Sequence, residues 1–180
     1  VVYRLLLLGA HQVANAACAL EAAEVLQGLG FPTTEEQRRS ALAKTRHPGR
    51  MEVLGGRPII VLDGAHNPAG MEALRAALDR FPAKRRILVL GILEDKDIQN
   101  MVRTIVSRDT VLVATQSRSP RAARTEEIAG AVDGTPLSLA EIPDVSKALD
   151  FAMGVAGQDD LICVTGSLTT VAEAREVLCV

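Results

Sequence analysis

The sequence predicts an α/β fold with a mostly parallel sheet and helices on both of its faces. From Arg50 onward, strand-like apolar runs alternate with helical patterns about every 25 residues, which is typical of parallel βαβ units. The later strands are short, continuous apolar runs, as expected where helices cover both faces of a sheet. Hydrophobic residues make up 48% of the chain but aromatic residues only 2%, so the core is built from aliphatic side chains.

The first part of the chain has a different pattern. The first eight residues resemble a strand that Gly9 ends, and a helix is predicted over about 12–27. This helix is rich in alanine and apolar on most faces, so we expect it to be buried. Gly28 and Gly30 are expected to end it.

A second helix and a boundary follow. Thr33 stands three residues before Glu36, the spacing of a capping box, and predicts a helix that ends near Lys44. Pro48-Gly49 then interrupts regular structure in a charged stretch. We therefore divide the chain into residues 1–45 and 46–180.

In the second part, the order of elements follows from the apolar patterns. Strands are predicted at 51–54, 58–62, 87–90, 110–114, 136–139 and 161–165. Helices are predicted to begin near Pro68, Ile98, Thr125, Val145 and Val171. Pro68 suits a first helical position, because its missing N–H would have no partner there.

Composition excludes several classes of protein. A formal net charge of −2 offers no electrostatic basis for binding nucleic acid or an acidic membrane. The longest apolar run near the start is too short for a membrane span or a signal sequence. The three cysteines are odd in number and form no CxxC pair, so we expect reduced, buried thiols in a cytoplasmic protein: Cys18, Cys163 and Cys179.

Four predicted strands end in turns that are polar or rich in glycine. These turns begin at Asp63, Gly91, Thr115 and Thr165. In a parallel sheet they would meet at the carboxyl edge, where ligands bind in open α/β folds. Polar turns are common for conformational reasons alone, but four together favour a binding site.

Three side chains near the first turn are candidate ligand contacts. Asp63 could accept hydrogen bonds from ribose hydroxyls, or cap a helix, although Asn67 is better placed for capping. Arg50 could contact a phosphate or lie in solvent. His66 could contact a carboxylate or phosphate, or be a hydrogen-bonded polar residue of the turn. A metal site of Asp63, His66 and His11 lacks the ligand spacing of zinc proteins.

Other activities lack their motifs. Ser167 has no G-x-S-x-G elbow, which argues against a hydrolase that uses Ser167, His66 and Asp63. No G-x-G-x-x-G follows a strand, and no Gly-Lys pair occurs. The chain therefore lacks both the dinucleotide fingerprint and the P-loop that cradles nucleotide phosphates.

Four motifs in order along the chain resemble a known family. These are Pro48-Gly49-Arg50, Leu62-Asp63-Gly64-Ala65-His66-Asn67-Pro68, Gly91-Ile92-Leu93 with Asp95-Lys96-Asp97-Ile98, and Thr165-Gly166-Ser167-Leu168 with Val171-Ala172-Glu173. They are similar to the C-terminal domain of folylpolyglutamate synthase/dihydrofolate synthase, in the Mur ligase superfamily. Gly9-Ala10-His11-Gln12 with Asn15 resembles the end of the central ATPase domain. The resemblance implies a Rossmann-like domain after a strand-helix remnant of that ATPase domain.

The resemblance implies an ATP-dependent carboxylate–amine ligase in a cytoplasmic, monomeric parent. ATP would phosphorylate a folate or dihydropteroate carboxylate, and L-glutamate would attack the acyl phosphate. By the same resemblance, Asn15, Arg50 and Asp63 contact ATP. His66 and Ser167 lie toward glutamate as catalytic candidates. No metal ligand is expected in this chain, and Mg²⁺ would be held upstream.

The family's P-loop and metal ligands lie upstream of these motifs, so we expect this chain to need an N-terminal ATPase domain and to be inactive alone. Its first residue, Val1, agrees with a fragment. Two other hypotheses remain open. The chain could be the matching part of a cell-wall amino-acid ligase, or a free-standing α/β binding module.

Overall fold

The computed structural model describes residues 1–134 and 136–178. Its centre is one six-stranded sheet, in the order β1-β2-β6-β3-β4-β5. β1 pairs antiparallel with β2, and the other neighbours are parallel. The strands are β1 (Glu52–Leu54), β2 (Ile59–Leu62), β3 (Arg86–Leu90), β4 (Thr110–Ala114), β5 (Ser138–Glu141) and β6 (Leu161–Thr165). The predicted mostly parallel α/β fold is confirmed.

Seven helices occur in the described residues. They are α1 (Ala10–Gly28), α2 (Glu35–Lys44), α3 (Pro68–Leu78), α4 (Ile98–Ile105), α5 (Thr125–Gly130), α6 (Val145–Val155) and α7 (Leu168–Leu178). α3, α4 and α5 contribute to the core on one face of the sheet, and α6 and α7 to the core on the other. Alternate strand residues enter the two cores, since successive side chains of a strand point to opposite faces. Val61 and Leu62 of β2 illustrate this alternation.

Most of the predicted elements agree with the structure to within one or two residues. β5 begins at Ser138, two residues later than predicted. The capping box of α2 is shifted by one residue, because Thr34 accepts from the Gln37 N–H and the Gln37 side chain accepts from the Thr34 N–H. Thr33 instead accepts a hydrogen bond from Arg38.

The prediction of a strand over the first eight residues was wrong, because no strand is assigned before Glu52 in the described chain. An apolar run forms a strand only when a neighbouring strand completes its backbone hydrogen bonds. Residues 1–8 pair with neither outer strand of the sheet, β1 or β5. Residues 1–8 therefore follow an irregular path.

The prediction that α1 is buried was also wrong. Gln12 is its only buried residue, and Val25 remains 66% exposed. Both faces of the sheet are covered by later helices, so α1 lies outside the two cores. Its Cys18 is consequently exposed, contrary to prediction, whereas Cys163 in β6 is buried as expected. Cys179 lies outside the described residues.

No helix in the described part of the chain combines the length and apolar character that crossing a membrane requires.

Candidate functional site at the carboxyl edge of the sheet

The turns after β2, β6 and β3 meet closely at the carboxyl edge of the sheet. A Cβ atom on Gly166 would lie 2.5 Å from the carbonyl oxygen of Gly91, and Gly166 has a φ of 105°. A Cβ atom on Gly64 would overlap Leu168, and one on Gly91 would overlap Thr170. Glycine is therefore required at Gly166, whereas a side chain at Gly64 or Gly91 would force Leu168 or Thr170 to move.

Asp63 is the buried acid of this edge, with 5% exposure. Its Oδ2 accepts from the Met51 N–H at 2.8 Å, and its Oδ1 accepts from the Ala65 N–H at 2.9 Å. Each carboxylate oxygen can accept a second hydrogen bond. Asp63 therefore fixes two stretches of backbone while keeping acceptor capacity for a ligand.

The environment of Asp63 opposes its ionisation overall. Burial raises the pKa of the Asp63 carboxyl, because a charge is poorly solvated there. The hydrogen bonds from Met51 and Ala65, and the nearby charges of Arg50 and His11, lower this pKa but do not cancel the effect of burial. The carboxylate lies close enough to Arg50 and His11 to interact with both electrostatically.

Arg50 lies on a tightly constrained loop. Gly49 and Met51 on either side of it have φ values of 70° and 45°. The Gly49 carbonyl accepts from the Gly64 N–H at 2.7 Å, and the Arg50 N–H donates to the His47 carbonyl at 3.1 Å. Among the described residues, no hydrogen bond or salt bridge engages the half-buried Arg50 guanidinium. Its backbone is fixed while its charged end stays available to an anion.

His66 is partly buried beside this loop. Its Nδ1 lies 2.8 Å from the Gly64 carbonyl oxygen, so Nδ1 carries the proton in that contact. Nε2 is then the ring atom left for a ligand. Asn67 caps α3, because its Oδ1 accepts from the Gly70 N–H at 2.7 Å. This confirms the expectation that Asn67, rather than Asp63, starts the helix.

Asn15 is connected to this region through two neighbouring side chains. Its amide donates to Gln12 Oε1 at 3.0 Å, and Gln12 Nε2 lies 3.1 Å from His11 Nε2. His11 in turn is close enough to lower the pKa of Asp63. Asn15 itself is exposed on α1. The structure thus brings Arg50 and Asp63 together directly and Asn15 only through this chain of contacts.

Ser167 is 1% exposed and serves the start of α7. Its Oγ accepts from the Thr170 N–H at 3.1 Å and lies 2.8 Å from the Thr170 hydroxyl. Thr170 donates to the Gly91 carbonyl at 3.0 Å. Neighbouring Thr169 links Ser167 to Ser117 through contacts of 3.0 Å. Ser167 therefore lies in a buried hydroxyl network that joins three turns.

Thr165 ends β6 within the same edge. Its Oγ1 is the one buried side-chain oxygen or nitrogen without a hydrogen-bond partner in residues 1–134 and 136–178. Such a group usually has a partner, often an ordered water, when it lies inside a protein.

Sequence reasoning missed a carboxylate that also holds the Arg50 loop. Glu52 Oε2 accepts from the Gly49 N–H at 2.8 Å. The same carboxylate receives a two-pronged contact from Arg175 of α7, at 2.9 and 3.0 Å. Glu52 could have been suspected from its position two residues after Arg50. Nothing in the sequence points to Arg175 as its partner, since 123 residues separate the two.

The described residues contain no group of three or more His, Cys, Asp or Glu side chains that could hold a metal ion. Asp63 is committed to backbone N–H groups, and His66 and His11 do not join it in such a group. The donor set of this part of the chain therefore does not fit a resident metal.

Comparison with known proteins defines the class to which this fold and site belong. Residues 49–168 match the family described as Mur ligase, glutamate ligase domain. The chain is also 32% identical over 174 residues to the dihydrofolate synthase/folylpolyglutamate synthase of Bacillus subtilis, a match that covers 96% of this chain. The chain therefore belongs to the Mur ligase family. It spans 40% of the length of that relative.

Solved structures agree with this assignment. The folylpolyglutamate synthase of Mycobacterium tuberculosis, complexed with ADP and AMPPCP, matches with a TM-score of 0.84 and 31% identity, over 96% of this chain and 41% of that one. A bifunctional folylpolyglutamate synthase/dihydrofolate synthase with Mn, AMPPNP and L-glutamate bound matches with a TM-score of 0.82 and 29% identity, over 99% and 41%.

A cell-wall relative matches as well. The UDP-N-acetylmuramyl-tripeptide synthetase of Leifsonia xyli is 30% identical over 174 residues, covering 89% of this chain and 33% of that protein.

Proposed function

We propose that this chain is the C-terminal part of an ATP-dependent ligase that adds L-glutamate to a folate or dihydropteroate. The observation that carries the proposal is the proximity of Arg50 and Asp63, which lie on two loops that hydrogen bond to each other. A fixed arginine with an uncommitted guanidinium beside a buried acid suits the phosphates and the ribose of a nucleotide. The match to folate-type ligases supports the choice of acceptor and amino acid.

The proposed reaction has two steps. A carboxylate oxygen of the acceptor attacks the γ-phosphorus of ATP, the bond to the β-phosphate oxygen breaks, and ADP leaves. The amino nitrogen of glutamate then attacks the acyl carbon, loses a proton, and displaces inorganic phosphate to form an amide. Arg50 would offset negative charge that develops during phosphoryl transfer, the usual task of an arginine at such a site.

The remaining site residues take roles by family resemblance. Asn15 contacts the nucleotide, which requires α1 to face the ATP site. His66 would approach glutamate through Nε2, since its Nδ1 contacts the Gly64 carbonyl. Ser167 acts on the glutamate side together with the buried network at the start of α7.

We further propose the organisation of the parent protein. Residues 1–45 end a central ATPase domain, and residues 46–180 form the glutamate ligase domain. The ATPase domain supplies the P-loop and the metal ligands, since the residues described here fit no resident metal. A relative solved with Mn and AMPPNP supports the use of a divalent metal with ATP. The parent is expected to be a cytoplasmic monomer.

The experiment is an acceptor panel with the full-length protein. We expect ATP-dependent incorporation of labelled glutamate into dihydropteroate, a tetrahydrofolate or both. The 180-residue chain under the same conditions should incorporate none, because the P-loop is absent from it. Incorporation by the isolated chain, or none by the full-length protein with either acceptor, would contradict the proposal.

A second candidate function is the matching part of a cell-wall ligase. The similarity to the muramyl-tripeptide synthetase favours it. Including a UDP-linked muramyl acceptor in the same panel separates the two. Amino-acid addition to that acceptor, without addition to a folate, would assign the chain to the cell-wall class.

A further inference from the structure

We propose that Glu52 and Arg175 are positioning residues that aim Arg50 at the phosphates of the nucleotide. This inference rests on the proposed function, because it assumes that Arg50 contacts ATP. It adds two residues to the proposed site, Glu52 of β1 and Arg175 of α7. Their effect passes through the backbone of the Arg50 loop.

The loop that carries Arg50 is held on both sides of that residue. Two carboxylates fix the residues on either side of Arg50: Glu52 accepts the Gly49 N–H, and Asp63 accepts the Met51 N–H. Gly49 and Met51 both have left-handed backbone conformations. Such a conformation is unfavourable for a residue like Met51 and persists only where its surroundings hold it. The direction of the Arg50 side chain therefore depends on both carboxylates.

Glu52 is itself held by Arg175. Arg175 donates from Nε and Nη2 to the two Glu52 oxygens, a planar two-pronged pairing that fixes orientation as well as distance. Both side chains are mostly shielded, with 20% exposure for Glu52 and 26% for Arg175. Shielding from water reduces screening of such a pair. Glu52 is thus a rigid acceptor for the loop rather than a mobile surface acid.

The Arg50 loop also packs against α7. A Cβ atom on Gly49 would lie 3.0 Å from Val171, in the helix that carries Arg175. The loop thus contacts α7 by packing at Gly49 and by charge through Glu52. Displacing Glu52 would release the Gly49 N–H on the packed side of the loop and let Arg50 reorient. A misplacement of about 1 Å in a positioned group can cost a reaction about a hundredfold.

The same arrangement elsewhere in the fold provides a matched control. Asp160 receives a two-pronged contact from Arg85 and also accepts from the Gly157 N–H at 2.8 Å. This pair lies at the opposite end of β3 and β6, beside their first residues. It resembles the Glu52 and Arg175 pair chemically but cannot reach the Arg50 loop.

The test measures nucleotide binding by the full-length protein for Glu52→Gln, Arg175→Ala and Arg175→Lys, with Arg85→Ala as control and Arg50→Ala as reference. Binding is measured for ATP and for adenosine, which has no phosphates. We expect Glu52→Gln and Arg175→Ala to weaken ATP binding by about tenfold, in the direction of Arg50→Ala, and to leave adenosine binding unchanged. Arg175→Lys should recover part of the lost ATP binding, and Arg85→Ala should change the binding of neither ATP nor adenosine.

The outcomes separate this inference from the proposed function. If Arg50→Ala weakens ATP binding while Glu52→Gln and Arg175→Ala do not, the positioning role is wrong and the proposed function stands. If Arg50→Ala itself leaves ATP binding unchanged, the nucleotide role of this edge fails. Equal losses for ATP and adenosine in Arg175→Ala would indicate general structural damage and would also overturn the positioning role. Arg175→Ala keeps the Glu52 acceptor, so it remains informative if Glu52→Gln does not fold.

Discussion

At the scale of the residue, Asp63 has a structural role in addition to the ligand role proposed for it. The acid after β2 suggested a ribose acceptor, and the structure reveals that it also holds the backbone at Met51 and Ala65. The local sequence predicts an acid at a strand end. It cannot predict which N–H groups return to that acid, because one of them lies 12 residues earlier on a loop with unusual dihedral angles.

Replacing Asp63 with asparagine should destabilise the chain. One carboxylate oxygen becomes an NH₂ group, so the N–H of either Met51 or Ala65 loses its acceptor. A buried donor without a partner costs about 1–3 kcal/mol, which urea unfolding would detect. Asp144→Asn is the control, since Asp144 caps α6 and asparagine caps a helix equally well. Equal unfolding midpoints for the two variants would contradict this role of Asp63.

Two buried acids should respond to pH in opposite directions. Burial raises the pKa of Asp63 in the folded chain. The contribution of Asp63 to stability is therefore full below its pKa in the unfolded chain, about 3.9, and is lost as pH rises through its pKa in the folded chain. Hydrogen bonds from Arg85 lower the pKa of Asp160 in the folded chain. The contribution of Asp160 to stability is therefore present above its pKa in the unfolded chain, about 3.9, and is lost as pH falls through its pKa in the folded chain.

The measurement is the loss of unfolding free energy in Asp63→Asn and in Asp160→Asn, followed from about pH 6 to pH 3. On acidification the loss caused by Asp63→Asn should grow, and the loss caused by Asp160→Asn should shrink. Parallel trends for the two variants would show that at least one of these pKa directions is wrong.

At the scale of the element, the βα turns were predictable and their mutual packing was not. Strand periodicity and the Pro68 helix start agree with the structure, because they depend on neighbouring residues alone. The prediction of a strand over the first eight residues was wrong, because a strand needs a neighbouring strand to pair with, and the local sequence does not specify one. The turns that hold Gly64, Gly91 and Gly166 were expected to share one edge, but their close contacts involve residues distant in sequence, which local patterns do not specify.

Gly166→Ala should destabilise the chain more than an ordinary glycine replacement. Its φ of 105° is unfavourable for alanine, and the added Cβ would lie 2.5 Å from the Gly91 carbonyl oxygen. Strain of this kind costs about 1–3 kcal/mol before any clash is counted. Gly154→Ala in α6 meets no atom within 4 Å and should be neutral or stabilising by up to about 1 kcal/mol. Similar thermal midpoints for both variants would contradict the close approach of the turns.

At the scale of the whole molecule, the two parts of the chain differ in how they are stabilised. Both hydrophobic cores consist of residues from Met51 onward. The helix α1 instead exposes apolar side chains such as Val13, Val25 and Leu26. Periodicity predicted the existence of α1 correctly but not its exposure, because an apolar helix indicates burial without saying what buries it.

Removing residues 1–45 should therefore leave the remaining domain folded. No residue of that segment enters either core, and Gln12 alone is buried within it. We expect residues 46–180 to retain a cooperative thermal transition within a few degrees of that of the full chain. Loss of the transition would show that the first segment stabilises the sheet in a way that its contacts do not indicate.

The most direct test of the nucleotide role proposed for this edge is the ATP dependence of glutamate addition by the full-length protein. Arg50→Ala removes a charge that no hydrogen bond or salt bridge engages in the described chain, so the fold should be unchanged. Arg46→Ala is the control, because Arg46 is exposed and lines the same cavity as Arg50. We predict that Arg50→Ala lowers kcat/KM for ATP by about tenfold or more, the loss expected for a charge-assisted phosphate contact, while Arg46→Ala does not. Unchanged ATP kinetics in Arg50→Ala would contradict the assignment of this edge to ATP.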